Sequence, residues 1–420
     1  MASKFGFAIY GVILIVIVVS FCNIISLSGL AIEPVVSKAG NFLEKNNTYS
    51  TDELLRDLKR DRINFDKLRF STLIQDDKND KVFSFDEYYN LTQINNYMNY
   101  LQHKYKNFVQ VFPIGQTWEG RTIRTLKISS GNANNSAFWI DGGIHAREWI
   151  AVSSVLFLTN VLVTNWLDLD PVFRNVDYYI TPVLNPDGYA FSHTEDNRWW
   201  RRNRRKMGLC YGVDLNRNFP YKWNEFKTNL LESAGIEFTN MSQSPDCSSD
   251  EYPGLAPSSE LETRAVINFI TGFPANKFKG FLSFHTYGKY ILYPYGYDHR
   301  MPKNFIKLFS VGQTAADKIF NVTEEKYKVF TGSSLYLFPG NSIDWAYKVA
   351  KIPLSYLVEL RDNLSFDLPP SEIVPAGKEA LIIAMTIVDN FDSSAETPKS
   401  IPVVPADWNY ENIVIESDND

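Results

Sequence analysis

Cysteine and histidine are both scarce in this chain, with three and five copies among 420 residues. Three cysteines allow one internal disulfide at most. Cys22 lies in an apolar amino-terminal run, which leaves Cys210 and Cys247 as an even pair. In an exported chain that pair reads as one disulfide, with two buried free thiols as the alternative. Positive charge is not in excess either. The net charge is −6, which argues against general nucleic-acid binding. Most of that charge is local: 393–420 holds Glu396, Asp407, Glu411, Glu416, Asp418 and Asp420 against Lys399 alone. Its prolines and acids predict a flexible acidic tail over 393–420. There is no internal repeat, and no glycine-rich loop of the kind that cradles nucleotide phosphates.

The contents are otherwise those of a globular protein, 45% apolar and 21% charged. Lys4 precedes an apolar run that ends in small residues, Gly29 and Ala31. Residues 1–31 therefore read as a secretory signal peptide, with an uncleaved anchor as the alternative. Sequons at Asn46, Asn90, Asn134, Asn240, Asn321 and Asn363 agree with export but are short motifs common by chance. Residues 32–81 are polar and charged, and "STDELLRDLKRDRINFDKL" there has helical character. The compact body is expected over 82–392. There "TIRTLKISS", "AFWIDGGIH", "VDYYITPVLNPDGY", "FKGFLSFHTYGKYILYPYG" and "LSYLVELRD" read as strands. "EWIAVSSVLFLTNVLVTNW", "SSELETRAVINFITG", "NFIKLFSVGQTAADKIFN" and "PAGKEALIIAMTIVDNF" read as helices. This alternation predicts one α/β domain with a parallel or mixed sheet.

Of the five histidines, His103 and His299 read as solvent-exposed and His193 takes no role. His145 and His285 differ, because each closes an apolar strand. Such ends are where α/β sheets bind ligands. With Glu148 they make a His₂Glu set, two close ligands and one distant, which suits catalytic zinc with a position left open. A zinc hydrolase also needs a base. Glu359 lies inside an apolar strand, where a carboxylate is rare without a reason; a salt bridge to Arg361 is the alternative reading. The basic run "RWWRRNRRK" reads as a solvated face or as the source of one oxyanion-stabilising guanidinium. In "GVDLNRNFP", Arg217 is suited to gripping a carboxylate.

These motifs, together with "NPDGY", "SSLYLFPGNSIDWAY" and "VELRD", stand in an order that resembles the zinc metallocarboxypeptidases of the A/B family, nearest the A type. The resemblance covers about 82–392. It implies a mixed, mostly parallel, eight-stranded twisted sheet flanked by helices and one zinc per chain. His145, Glu148 and His285 match the zinc ligands. Glu359 matches the general base and Arg201 the arginine that holds the oxyanion. Asn216, Arg217 and Tyr336 match the binders of the substrate's terminal carboxylate. Arg147 and Tyr287 match residues lining the path to the site, and Asp214 the carboxylate that orients the first histidine. Cys210 and Cys247 match the family's disulfide. Ile343 stands where relatives acting on basic residues carry an aspartate. With Leu357 and Phe338 it implies an apolar, shallow pocket. The expected substrates are peptide and protein carboxyl termini ending in aliphatic or aromatic residues. The chain is expected to act as a secreted monomer, with no nucleic acid and, once the signal is cut, no membrane. A membrane-anchored ectoenzyme is one alternative. A non-catalytic binding protein on the same fold is another, and it would need a missing ligand, base or arginine. Two features depart from the family: 32–81, where "LRFSTLIQDDKND" resembles the end of a pro-domain, is implied to be a short pro-segment remnant and is shorter than a digestive pro-domain, and the tail has no counterpart.

Overall fold

The computed structural model describes residues 68–76, 81–225, 246–361, 365–391 and 416. All of them fall in one compact unit, Lys67–Thr397 with Pro405–Asp420. The expected signal segment, most of the pro-segment and all of the tail but Glu416 lie outside the described residues.

The first half runs β1 (Leu73–Gln75), β2 (Lys81–Ser84), α1 (Leu91–Lys104), β3 (Val109–Gln116), β4 (Thr122–Ile128), β5 (Ser136–Asp141), α2 (Trp149–Asn165), α3 (Pro171–Arg174), β6 (Val176–Thr181), α4 (Pro186–Ser192), β7 (Lys206–Met207) and β8 (Cys210–Tyr211). A 3₁₀ turn follows at Leu215–Arg217. The second half runs α5 (Leu261–Thr271), β9 (Phe278–His285), β10 (Tyr290–Tyr293), α6 (Phe305–Thr323), β11 (Lys328–Thr331), α7 (Gly332–Leu335), α8 (Ser342–Lys348), β12 (Leu354–Glu359) and α9 (Ile373–Asp389).

Eight strands form one sheet in the order β11-β10-β12-β9-β5-β6-β4-β3. Four of its seven pairings are parallel, and the central run β12-β9-β5-β6 is parallel throughout. Strands covered on both faces must be apolar on both, which is why "AFWID" and "GFLSFH" read as continuous apolar runs. On one face Trp139, Phe281 and Leu357 pack with Val266 and Ile270 of α5 and Trp345 of α8. On the other, Phe138 meets Phe391. Gly280 makes room for Phe138, because a Cβ there would lie 2.8 Å from its ring. Burying an apolar side chain of this size contributes about 1.5–3 kcal/mol. Truncating Phe281 to alanine would cost about 3–5 kcal/mol once the cavity is counted. Helix α2 is buried nearly all round and packs on α9, so its apolar residues show no single stripe.

Differences from the expected elements have local causes. "VDYYITPVLNPDGY" is strand only to Thr181. Pro186 opens α4, where its missing N–H costs nothing, and the Asn185 side chain accepts from Gly188 N. "FKGFLSFHTYGKYILYPYG" divides into β9 and β10. Residues 69–71 lie along α2: Arg69 N donates to Asn165 Oδ1 (2.9 Å), Phe70 stacks on Phe157 and Asn160 Nδ2 donates to Ser71 O (3.2 Å), while β1 pairs with β2. From the tail, Glu416 reaches the body. Its N–H donates to Met301 O (3.0 Å), Tyr295 OH donates to its Oε2 (2.8 Å), and Lys348 forms an ion pair with it.

Three neighbouring parallel strands, β5, β9 and β12, end together at Asp141, His285 and Glu359. Their registers align Glu359 with His285 and Asp141 with Ser283. The candidate site stands at this carboxyl edge.

Candidate metal centre and active site

The chain leaves β5 through Gly142 and Gly143 to reach His145. Gly143 has φ +62°, and a Cβ on it would sit 2.7 Å from Val152 of α2. Only glycine lets the turn pass this close beneath the helix. Glu148 occupies the N-cap position of α2 but makes no side-chain capping bond. Its carboxylate turns to the histidines instead.

His145 Nδ1 lies 2.8 Å from Glu148 Oε1, and His285 Nδ1 lies 3.2 Å from Glu148 Oε2 and 3.1 Å from His145 Nδ1. All three residues are buried, with their donor atoms within 4.8 Å of one another. The outer ring nitrogens have partners of their own. His145 Nε2 is 3.1 Å from Asp214 Oδ1, and His285 Nε2 is 3.1 Å from Ser283 Oγ. Ser283 Oγ in turn donates to Asp141 Oδ1 (2.7 Å), and Trp139 Nε1 donates to Asp141 Oδ2 (2.6 Å). With the outer nitrogens as donors, both Nδ1 lone pairs face one centre with Glu148. Two imidazoles and one carboxylate fit zinc, with a coordination position left over.

Burial alone would push the Glu148 carboxyl up, but His145 and His285 beside it outweigh burial and hold it well below the ordinary range. Asp214 is likewise buried and held low, chiefly by Arg201, with His145 and Arg217 adding to it. It accepts from Arg201 Nε and Nη2 at 3.0 and 2.8 Å, so one carboxylate orients both His145 and Arg201. Arg201 Nη1 lies 3.9 Å from Glu148 Oε1. Glu359 behaves in the opposite way. Burial lifts its pKa to about 8, partly offset by His285. Its Oε2 is buried with no hydrogen-bond partner among the described residues. The alternative pairing with Arg361 is not made. Arg361 is taken by Glu372 (2.6 Å) and Glu379.

Arg217 is buried under the same network. Its Nη2 donates to Tyr336 OH (3.0 Å) and Glu251 Oε1 (2.8 Å), and its Nη1 donates to Asn216 O (3.1 Å). Asn216 Oδ1 accepts from Ser342 N (2.9 Å), tying this turn to the start of α8. Arg147 pairs with Asp250 (2.9 Å) and lies over the Phe366 ring, which also meets Tyr287. Ile343, Phe338 and Leu357 belong to one buried apolar cluster. Cys210 and Cys247 are bonded to each other.

The basic run is not a uniform solvated face. Arg198 stacks on Trp149, Arg202 donates to Cys247 O and Ser249 O, Arg204 lies over Phe191, and Arg205 pairs with Glu260. Arg201 alone of the run reaches the histidine cluster. His193 stacks on Trp149 with ring centroids 3.9 Å apart. Sequence reasoning missed Ser283 and Asp141, although Ser283 stands two residues before His285 on the same strand face. It also missed Asp250 and Glu251, which no motif marks.

A family model described as zinc carboxypeptidase matches residues 94–382. The chain is 36% identical over 310 residues to carboxypeptidase B of Astacus astacus, covering 72% of this chain and 96% of that one. It is 34% identical over 339 residues to carboxypeptidase O of Bos taurus, covering 77% and 86%. The carboxypeptidase A structure from Helicoverpa armigera superposes with a TM-score of 0.66 at 26% identity, covering 86% of this chain and 87% of that one. These relatives carry three different type letters, so likeness alone does not set the type. The matched span takes in Glu359 and also His145, Glu148 and His285, whose geometry suits the metal of the family's name. The chain belongs to the zinc carboxypeptidase family.

Proposed function

We propose that the protein is a secreted exopeptidase that removes aliphatic and aromatic residues from peptide carboxyl termini. The observation that carries this reading is the closeness of two different sites. Asp214 touches His145 and Arg201, and lies 3.8 Å from Arg217, whose guanidinium is 1% exposed. A carboxylate-gripping arginine one carboxylate away from a metal centre fixes the cut to the chain end.

His145, Glu148 and His285 would hold the zinc, which when bound would supply Lewis acidity toward the scissile carbonyl and the attacking water. The remaining work falls to the protein. Glu359, its Oε2 free beside His285, accepts the water's proton and returns one to the leaving amine. Arg201, held in place by Asp214, meets the negative charge that grows on the carbonyl oxygen. Arg217, Asn216 and Tyr336 hold the terminal carboxylate. Arg147 and Tyr287 line the approach.

The apolar preference rests on Ile343, Phe338 and Leu357, which are 0%, 3% and 3% exposed. Burying an unpaired substrate cation against them would cost several kcal/mol, on the order of the penalty for a broken buried ion pair. Export is supported by the Cys210–Cys247 disulfide. Among the described residues no helix is long and apolar enough to cross a membrane.

The test is a panel of peptides that differ only in the last residue, with products identified by mass. Single-residue release favouring Leu, Val or Phe is expected, and Ile343→Asp should shift the panel toward Lys and Arg. A wild-type preference for Lys or Arg would overturn the pocket reading and leave the metal chemistry standing. Internal cleavage would overturn the exopeptidase reading.

A further inference from the structure

Both hydrogens of Arg217 Nη2 are already committed, one to Tyr336 OH at 3.0 Å and one to Glu251 Oε1 at 2.8 Å. Nη1 gives one hydrogen to Asn216 O and lies 3.8 Å from Asp214 Oδ2. The guanidinium is buried, whereas the Glu251 side chain that reaches it is 47% exposed. Glu251 is not a loose surface group that happens to fall there. The Cys210–Cys247 bond anchors its loop. Arg202 Nη1 donates to Cys247 O (2.6 Å) and Ser249 O (2.9 Å), and Asp214 N donates to Tyr252 O (2.8 Å). The neighbouring Asp250 pairs with Arg147 on the approach. One braced loop thus presents two adjacent carboxylates to two arginines of the site.

We propose that Glu251 is an internal rival for the terminal-carboxylate clamp, a specificity-determining residue that weakens capture of free carboxyl termini. The inference rests on the reading of Arg217 as that clamp. A substrate carboxylate must displace Glu251 from Nη2 or share the guanidinium with it, and two like charges on one cation repel. Either route raises the cost of binding an anionic terminus. Neither touches the reacting carbonyl, so the effect falls on binding rather than on the chemical step.

The experiment compares wild type, Glu251→Gln, Arg217→Ala and the double variant of the zinc-loaded full chain. It measures kcat and KM on a peptide ending in free Leu, and inhibition constants of N-acyl-leucine and its amide. Glu251→Gln should lower KM and the acid's inhibition constant by about three- to tenfold, the scale of a partly exposed charge-assisted contact. The amide's constant should hold, and the gain should vanish in the double variant. An unchanged or higher KM in Glu251→Gln would make Glu251 a support for Arg217 and overturn the proposal. Equal gains for acid and amide would overturn it too. If Arg217→Ala leaves KM for the free acid unchanged, the clamp reading fails, and that result is separate from the Glu251 effect.

Discussion

Glu359 and His285 stand side by side, paired in register at the last residues of β12 and β9. Two parallel strands of a buried sheet carry the residues, so the spacing between the proposed base and His285 is set by the sheet rather than by a loop. Burial lifts the Glu359 pKa to about 8, while Glu148, three residues after His145 and between two imidazoles, is held anionic. Opposite environments thus suit the two carboxyls to the opposite tasks proposed for them. Glu359→Gln keeps the shape and loses the proton acceptor. Its metal content should equal that of the wild type while kcat falls by at least about 10²–10⁴-fold. Zinc analysis and steady-state kinetics on one preparation check this. A variant retaining more than a tenth of wild-type kcat would remove Glu359 from the mechanism.

Metal retention should depend on the outer contacts as well as the ligands. His285→Ala leaves two ligands, too few for a stable catalytic site. It should purify without metal, and chelation of the wild type should abolish activity that added zinc restores. Asp214→Asn is expected to weaken zinc by about 10–100-fold, because the amide no longer enforces the tautomer that aims His145 Nδ1 at the metal. Ser283→Ala, which removes the contact to His285 Nε2, should weaken it in the same direction. Competition with a chelator of known affinity reads all three. Unaltered affinity in Asp214→Asn would show that the 3.1 Å contact does not orient the ring.

Another perturbed carboxyl, outside the His145–Glu148–His285 cluster, gives a pH prediction. Glu262 is fully buried. Burial lifts its pKa to about 8, against the pull of its backbone and Asn203 contacts, and Glu260 and Asp187 add to the rise. Asn203 Nδ2 donates to Glu262 Oε2 at 3.1 Å. The unfolded chain releases this proton near about 4.3. Between the two values the folded state binds more protons than the unfolded state. The group's contribution to stability is therefore complete below the lower value, declines as pH rises, and levels off above the higher one. Glu262→Gln removes that slope. Its Tm relative to wild type should rise from about pH 5 to about pH 8. An offset that stays the same at both would mean that Glu262 ionises normally in the fold.

The central strands were legible because a sheet covered on both faces demands unbroken apolar runs, and β5, β9 and β12 supply them. Edge elements were not. Strand β3 contains Pro113 and Gly115, which break the alternation. It sits at the sheet's edge with an irregular register there, where proline's missing N–H is tolerated. Strand β11 has four residues, too few to show a period. At the site, His145, Glu148, His285 and Glu359 could be picked out because histidines and a glutamate at apolar strand ends are conspicuous. Pattern alone could not apportion the arginine run, where the resemblance singled out Arg201, since periodicity does not say that Arg202 turns to Cys247 O while Arg201 turns to Asp214. Glu251 was invisible for the same reason: an acid in a polar loop has no pattern until the fold brings it to Arg217.

The pocket reading makes a last prediction about size. Phe338 is buried against Tyr336 and over two glycines. A Cβ on Gly296 or on Gly332 would lie 2.7 Å from the Phe338 ring. The ring is thus fitted into a space that no side chain from those positions shares. In the proposed pocket it occupies volume that a terminal residue would otherwise use, which favours aliphatic over large aromatic ends. Phe338→Ala removes the ring without altering the metal ligands, Glu359 or Arg201. Left as an empty cavity, the change would cost about 3–5 kcal/mol of stability. A substrate's aromatic side chain would recover part of that on binding. The ratio of kcat/KM for a peptide ending in Phe to one ending in Val should therefore rise by about 10-fold or more, the discrimination of roughly 1–3 kcal/mol that even one methylene gives in an apolar pocket. Thermal unfolding on the same sample shows whether the variant is still folded at the assay temperature. If it is folded and the ratio does not move, Phe338 lies behind the pocket wall and not in it.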